Sequence, residues 1–182
     1  RGPEAFEYYV LHKPPGVVTT VRDPQRRPTV LQLLAPVEAR VYPVGRLDAD
    51  SEGLLLLTND GELAHRLTHP RYGVEKEYEA ALDQAVGQAA LDTICRGIES
   101  HGQRLTARVA RIEPDSDGRR VVVVLAEGRK REVRRLFQAV DRQVVRLLRV
   151  RFGPLHLGDL APGRFRPLTK DEIEQLRAAT SA

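Results

Sequence analysis

Residues 44–60 read VGRLDADSEGLLLLTND and join a charged segment directly to an apolar one. Arg46, Asp48, Asp50 and Glu52 alternate along the first half, whereas positions 54–57 are all leucine. A short apolar run bounded by turn residues is typical of a buried strand. We therefore predict a strand over residues 53–58, preceded by a polar loop over residues 47–52. Rigid backbone at the end of a core strand is well suited to hold a reactive side chain.

The composition is that of a globular protein. The 182 residues, 41% of them hydrophobic, are enough for one domain with its own core. The longest apolar runs, 54–57 and 121–126, are too short to span a bilayer, so we expect no membrane association. The single cysteine, Cys95, excludes an internal disulfide and a thiolate zinc cage and fits a reducing cytoplasm. Because the chain starts at Arg1 and contains no methionine, we expect a fragment or processed form.

Positive charge is concentrated in one segment. Residues 119–152 contain eleven lysines and arginines and three acids, a net charge of +8, although the whole chain carries only +4. A localised basic block is the electrostatic footprint of a protein that binds phosphate backbones. The alternative is a solvated, charged face with no ligand. The block alone does not decide between them.

The pattern of elements predicts an α+β fold with a mixed or mostly antiparallel sheet flanked by helices, because turns join the strands as often as helices do. Pro14–Gly16 and Asn59–Gly61 are predicted as turns, and Gly97 as a helix C-cap. The strands are predicted at 7–12, 41–46, 53–58, 74–82, 104–113, 119–126 and 144–152, and the helices at 28–34, 62–68, 84–95, 131–140 and 169–179. Thr169 to Glu172 form a capping box.

The strand over residues 74–82 alternates strictly. Glu75, Glu77 and Glu79 share one face, which must face solvent, and Tyr78 lies on the other face. We therefore expect the Tyr78 ring to point towards the protein body or a cleft in it.

The acidic loop shares the first half of a calcium-binding pattern. Asp48, Asp50 and Glu52, with glycine sixth, imitate the start of an EF-hand. The twelfth position is Asn59 instead of glutamate, and the intervening leucines have no side-chain oxygen. The pattern does not favour calcium.

Other metal and nucleophile patterns are weaker still. His65 and His69 have the spacing of two zinc ligands, but Arg66 stands where a zincin has its catalytic glutamate and Pro70 ends the helix at once. Two histidines on a surface turn is the simpler interpretation. No glycine-rich phosphate loop and no serine nucleophile elbow occur in the sequence. We predict neither a metal nor a cofactor.

Asp48 remains the candidate for chemistry. A carboxylate in a drying cleft needs a cation to stay ionised. Arg46 or the cluster at 129–135 could supply that cation. On spacing alone, a structural role for Asp48 in the loop is the favoured interpretation.

Five motifs in order resemble the RsuA/RluB/RluE/RluF family of bacterial rRNA pseudouridine synthases, over nearly the whole chain. The resemblance is carried by His12–Gly16, Gly45–Asp48 with Ser51–Gly61, Lys76–Tyr78, Glu127–Leu136, and Arg146–Arg149 with Phe152 and Gly153. His12 departs from the usual asparagine of the first motif. Arg131-Glu132-Val133 is most similar to the RluB branch.

This resemblance implies a cofactor-free isomerisation of uridine in RNA. Asp48 would be the catalytic carboxylate, acting as a nucleophile or initiating glycosidic cleavage. Tyr78 would pack against the base and assist proton removal, and Arg134 would pair with Asp48. Arg46 would hold the flipped nucleotide or fill its gap, and Leu147 would line the pocket.

The resemblance also implies a ribosomal RNA partner, with the large subunit as our prediction, bound in part by Arg129, Lys130, Arg131 and Arg135. We expect a monomer with one catalytic domain over residues 1–182, a small N-terminal lobe over about residues 1–40, and no N-terminal S4-like RNA-binding domain in this chain. A catalytically silent RNA-binding or ribosome assembly module of the same fold is the alternative.

Overall fold

The computed structural model describes residues 4–20 and 23–181. The predicted α+β class is confirmed: one large sheet carries helices on its faces. The helices are α1 (Val30–Leu33), α2 (Gly61–Thr68), α3 (Gln88–Arg96), α4 (Glu132–Gln138) and α5 (Lys170–Ala179), with a 3-10 turn at Pro70–Tyr72. The strands are β1 (Tyr8–Lys13), β2 (Tyr42–Pro43), β3 (Glu52–Thr58), β4 (Lys76–Leu82), β5 (Ile98–Ser100), β6 (Gln103–Leu105), β7 (Val109–Ile112), β8 (Arg120–Leu125), β9 (Val144–Phe152), β10 (Leu155–His156) and β11 (Phe165–Pro167).

The main sheet runs in the order β11-β1-β3-β9-β4-β8-β7, with β2 paired to β3 and β10 to β9, and a separate hairpin joins β5 to β6. The strands pair antiparallel except β3 with β9, which are parallel. Within the described ranges, no helix is both long and apolar enough to span a membrane.

The four leucines of β3 do not alternate with polar residues because both faces of this strand are buried. Leu54 and Leu56 enter a core beneath α2 and α5, whereas Leu55 and Leu57 enter a second core beneath α1, and all four are fully buried. A strand covered on both faces needs apolar residues at every position. Each leucine buried in this way contributes about 1.5–3 kcal/mol. The start of β3, where the acidic loop ends, is therefore held rigidly.

Gly53 fixes where β3 meets β9. Its φ is +110°, and a Cβ atom there would lie 2.2 Å from the carbonyl oxygen of Arg149. Only a residue without a side chain allows this approach. The acidic loop is consequently locked beside the middle of β9.

Three local predictions were wrong. The strand expected over residues 104–113 is two short strands, because β6 pairs with β5 in the separate hairpin whereas β7 pairs with β8 in the main sheet. The strand expected over residues 41–46 is only the two residues of β2, because Pro43 lacks an N–H and Gly45 adopts a φ of +74°. The turn expected at 59–61 is the start of α2, where Asp60 caps the helix by accepting from the N–H of Leu63 at 3.2 Å. The α5 capping box and the Gly97 C-cap are confirmed.

The predicted N-terminal lobe over about residues 1–40 includes residues 1–3, 21 and 22, which lie outside the described part of the chain. Within the described part, β1 is a strand of the main sheet, paired with β3 and β11. Val17, Val30 and Leu34 pack on the face that receives Leu55 and Leu57.

Candidate active site

Asp48 lies in the loop between β2 and β3, with one third of its side chain exposed. Buried Leu47 precedes it, and buried Ser51 donates its backbone N–H to the Asp48 carbonyl at 2.9 Å. The backbone of Asp48 is thus fixed by neighbours on both sides. Its carboxylate remains accessible to a ligand.

Lys13 supports this loop from below. Its side chain is fully buried, and its Nζ donates to the carbonyl oxygens of Pro14 at 2.9 Å and Ala49 at 3.2 Å. The N–H of Gly16 also donates to the Ala49 carbonyl at 2.7 Å. Burial lowers the Lys13 pKa to about 8, although the nearby acids Asp50, Glu52 and Asp48 oppose that shift. The turn after β1 and the loop before β3 therefore form one unit.

Arg131 reaches the loop from the other side. It stands at the N-terminus of α4 with a φ of +52°, and its guanidinium makes two hydrogen bonds to the Asp50 carboxylate, both at 3.1 Å. The same group lies 3.7 Å from Oδ2 of Asp48. The hydrogen bonds from Arg131 lower the pKa of Asp50. Arg131 is the cation that meets Asp48.

Arg134 occupies a neighbouring but different position. Its Nη2 lies 3.4 Å from the Asp50 carboxylate and donates to the Asp50 carbonyl at 3.3 Å, while Nη1 donates to the Val144 carbonyl at 3.1 Å. The predicted Arg134–Asp48 ion pair is absent from the structure. One helical turn separates Arg134 from Arg131, so Arg134 meets the base of the loop and Arg131 meets Asp48.

Tyr78 lies on β4 opposite Arg149 of β9, immediately after an irregularity in the pairing at Glu77. Such bulges re-aim side chains next to active sites. The half-buried ring packs against the core that contains Leu147 and also against the core that contains Leu47. Its hydroxyl makes no hydrogen bond with any described residue. The ring is therefore fixed by packing while the hydroxyl stays unpaired.

Leu147 is on the same face of the sheet as Tyr78. It pairs with Ala80, two residues from Tyr78 along β4, and is buried. Diagonal neighbours across two antiparallel strands lie about 7–8 Å apart. The two predicted pocket residues thus belong to one apolar surface.

The other predicted binding residues differ in how many intramolecular ion pairs and hydrogen bonds their side chains make. Arg46 and Lys130 are exposed and make no ion pair with residues 4–20 or 23–181. Arg129 is exposed, with its Nε 3.9 Å from a carboxylate oxygen of Glu127. The guanidinium of Arg135 instead donates hydrogen bonds to Ser100, Gln103 and the Lys130 carbonyl.

Sequence reasoning missed the roles of Asp50 and Glu132. The Asp-Ala-Asp spacing was a usable signal for Asp50, because alternate acids can share one guanidinium. Glu132 is buried near Glu127, and its pKa rises to about 8 because of burial first and the neighbouring Glu127 carboxyl group second. Nothing in a Glu-to-Glu separation of five residues indicated that the pair would meet.

The residues weighed as metal ligands contact other groups of the protein. Asp48 and Asp50 contact arginine, and Nδ1 of His69 accepts from the backbone N–H of Arg71 at 3.1 Å. Across residues 4–20 and 23–181, no three His, Cys, Asp or Glu side chains gather in a way that could hold a metal ion.

Comparison with known proteins shows which family the chain resembles. A family profile described as RNA pseudouridylate synthase matches residues 7–139. The Bacillus subtilis ribosomal large subunit pseudouridine synthase B is 38% identical over 174 residues, covering 94% of this chain and 71% of that protein. The Escherichia coli ribosomal small subunit pseudouridine synthase A is 40% identical over 168 residues, covering 91% and 72%. A crystal structure of a pseudouridylate synthase superimposes with a TM-score of 0.84 at 36% identity, covering 96% of this chain and 75% of the other.

Proposed function

The chain belongs to the RNA pseudouridylate synthase family, in the branch of RsuA and RluB, and from this membership we propose that it converts a uridine of ribosomal RNA to pseudouridine with Asp48 as the catalytic carboxylate. The observation that supports the proposal most strongly is the seating of Asp48. It lies on a loop locked by Lys13 and β3, partly exposed, with the Arg131 guanidinium beside it.

The reaction breaks the bond between uracil N1 and ribose C1′ and forms a bond from uracil C5 to the same carbon. C5 loses its proton and N1 takes one up, so the product is an isomer of the substrate. Asp48 acts as an anion, attacking the nucleotide or initiating cleavage of the glycosidic bond. Arg131, shared with Asp50, stabilises that anion when the cleft closes around RNA.

The remaining residues hold the base. A uracil must leave its helix before it can be turned, at a cost of a few kcal/mol. Tyr78 offers a fixed ring on which the detached uracil stacks, and its hydroxyl relays the C5 proton to solvent by accepting it while passing on its own proton. Leu147 keeps the adjoining surface apolar, and Arg46, exposed two residues before Asp48, occupies the space the base has left. Arg134 acts by fixing the base of the 48–50 loop.

We propose large-subunit rRNA as the substrate, on the resemblance of Arg131-Glu132-Val133 to the RluB branch. Similarity to the small-subunit enzyme makes 16S rRNA the competing substrate. We further propose a monomer that needs no cofactor and works in the cytoplasm, where rRNA is modified. Mapping pseudouridine in both rRNAs from a strain that lacks the gene identifies the subunit, because one modified position should be lost from 23S rRNA.

Release of tritium from 5-tritiated uridine in rRNA from that strain tests the activity. The wild-type chain should release tritium, and Asp48→Asn should release none above background while binding the RNA. Binding without release by the wild-type chain would support a silent RNA-binding module instead.

A further inference from the structure

A groove of about 610 Å³ opens beside the 48–50 loop, between α4, the β5–β6 hairpin and the start of β9. Four cations line it, and none of the described residues lining it is a carboxylate. A cleft lined by charge of one sign concentrates ligands of the opposite sign. The cations are Lys130, Arg131, Arg134 and Arg135.

Arg135 builds one wall of this groove. Its Nε donates to Ser100 Oγ at 2.9 Å, and its Nη2 donates to the Ser100 carbonyl at 2.8 Å and to Gln103 Oε1 at 2.9 Å. Its Nη1 donates to the Lys130 carbonyl at 3.0 Å. These hydrogen bonds hold the β5–β6 hairpin against α4, so the fold itself fixes the shape of the groove.

The groove is continuous with the candidate active site. Arg131 and Arg134 both line it. Arg131 also contacts the side chains of Asp48 and Asp50, and Arg134 contacts that of Asp50. An occupant of the groove would lie next to the target uridine.

Three side-chain amides give the groove a second kind of chemistry. Gln138 and Gln143 make no side-chain hydrogen bond with any described residue, and Gln103 uses only its carbonyl, for Arg135. Amides that donate and accept together match the edges of nucleobases, whereas a free lysine matches a phosphate. Lys130 is the lining cation whose side chain makes neither an ion pair nor a hydrogen bond with residues 4–20 or 23–181. A purely electrostatic phosphate track would have no use for three amides.

We propose that this groove binds one unstacked nucleotide of a single-stranded RNA segment adjoining the target uridine. Lys130 contacts its phosphate, and Gln103, Gln138 and Gln143 contact the edge of its base. Single-stranded bases are the usual targets of sequence-specific RNA recognition, because their edges are free. The proposal rests on the proposed function, and it makes the groove a determinant of which uridine is chosen.

The test measures binding by fluorescence anisotropy, with labelled single-stranded decamers of cytidylate and adenylate and an abasic decamer of equal length. These probes contain no uridine, so binding is separated from turnover. The double variant Gln138→Ala, Gln143→Ala should bind the base-containing decamers about fivefold more weakly and the abasic decamer unchanged, as expected for lost base contacts. Lys130→Ala should weaken all three probes and reduce the slope of log Kd against log salt concentration by about 0.7.

Gln175→Ala is the matched control, since Gln175 is an exposed glutamine of α5 outside the groove. Equal binding by the double variant and this control would overturn the base contacts, and an unchanged salt slope for Lys130→Ala would overturn the phosphate contact. Tritium release by the wild-type chain is scored separately. If the wild-type chain releases tritium but the groove variants bind the decamers normally, only the groove proposal is refuted. If the groove variants bind more weakly but the wild-type chain releases no tritium, only the enzymatic function is refuted.

Discussion

Replacing Lys13 with methionine should lower turnover more than it lowers the stability of the fold, because the Lys13 side chain holds the active-site loop in place. The buried amine donates to the carbonyls of Pro14 and Ala49. Charge-assisted hydrogen bonds contribute about 1.5–3 kcal/mol each. Against this, burial lowers the Lys13 pKa from 10.5 to about 8, and at roughly 1.4 kcal/mol per pKa unit the charged amine costs the fold about 3 kcal/mol at neutral pH.

Because the two hydrogen bonds together contribute about 3–6 kcal/mol and burial of the charge costs about 3 kcal/mol, we expect Lys13→Met to lower the free energy of unfolding by at most about 3 kcal/mol at pH 7. Turnover should fall at least about tenfold, since displacing a catalytic group by about 1 Å can cost 100-fold. Urea denaturation gives the stability, and tritium release gives the turnover.

The pH dependence provides an independent check on the same variant. Between pH 8 and 10.5 the unfolded chain keeps a proton on Lys13 that the folded chain has lost, so wild-type stability should rise with pH relative to Lys13→Met. The gain should approach about 3 kcal/mol above pH 10.5. Full turnover by the variant, or a relative loss of wild-type stability over this window, would refute the account of the buried amine.

Three further predictions concern the same framework. Gly53→Ala should destabilise the fold by more than about 3 kcal/mol in urea denaturation, because its Cβ meets backbone, whereas Gly128→Ala, with no atom within 4 Å, should be tolerated. Arg134→Ala should lose far more turnover than Lys130→Ala, which should act mainly on affinity; comparable losses of kcat would contradict the loop-fixing role. Glu132, with its pKa raised to about 8, should stabilise the fold fully below pH 4.5 and lose that contribution as pH rises towards 8. The stability of wild type relative to Glu132→Gln should therefore fall over this window, and a flat difference would count against the buried carboxyl pair.

The sequence predicted those elements whose local pattern agrees with their burial. The leucine run of β3, the alternation of β4 and the capping box of α5 each required only one periodicity or one motif. The strand expected over residues 41–46 was overestimated because Pro43 and Gly45 interrupt pairing that their apolar neighbours suggested. The hairpin β5–β6 went unpredicted because its strands have only three residues each.

Long-range contacts set the limits of prediction at the site. The sequence left Arg46 and the 129–135 cluster as two possible sources of a cation for Asp48, and the structure supplies one from the cluster. Which arginine it would be depends on how α4 is rotated against the loop, and local spacing does not encode that rotation. Burial of Lys13 beneath Ala49, and of Glu132 beside Glu127, likewise arises only when distant segments pack together.

The central claim is that Asp48 performs the chemistry and Asp50 only positions the arginines. Single-turnover tritium release from rRNA, with Asp48→Asn and Asp50→Asn as a matched pair, tests it most directly. Both acids contact Arg131, so each substitution removes one partner of the same guanidinium. We predict no release from Asp48→Asn and slow but complete release from Asp50→Asn. Release by Asp48→Asn at the wild-type rate, or an inactive Asp50→Asn beside an active Asp48→Asn, would contradict the account.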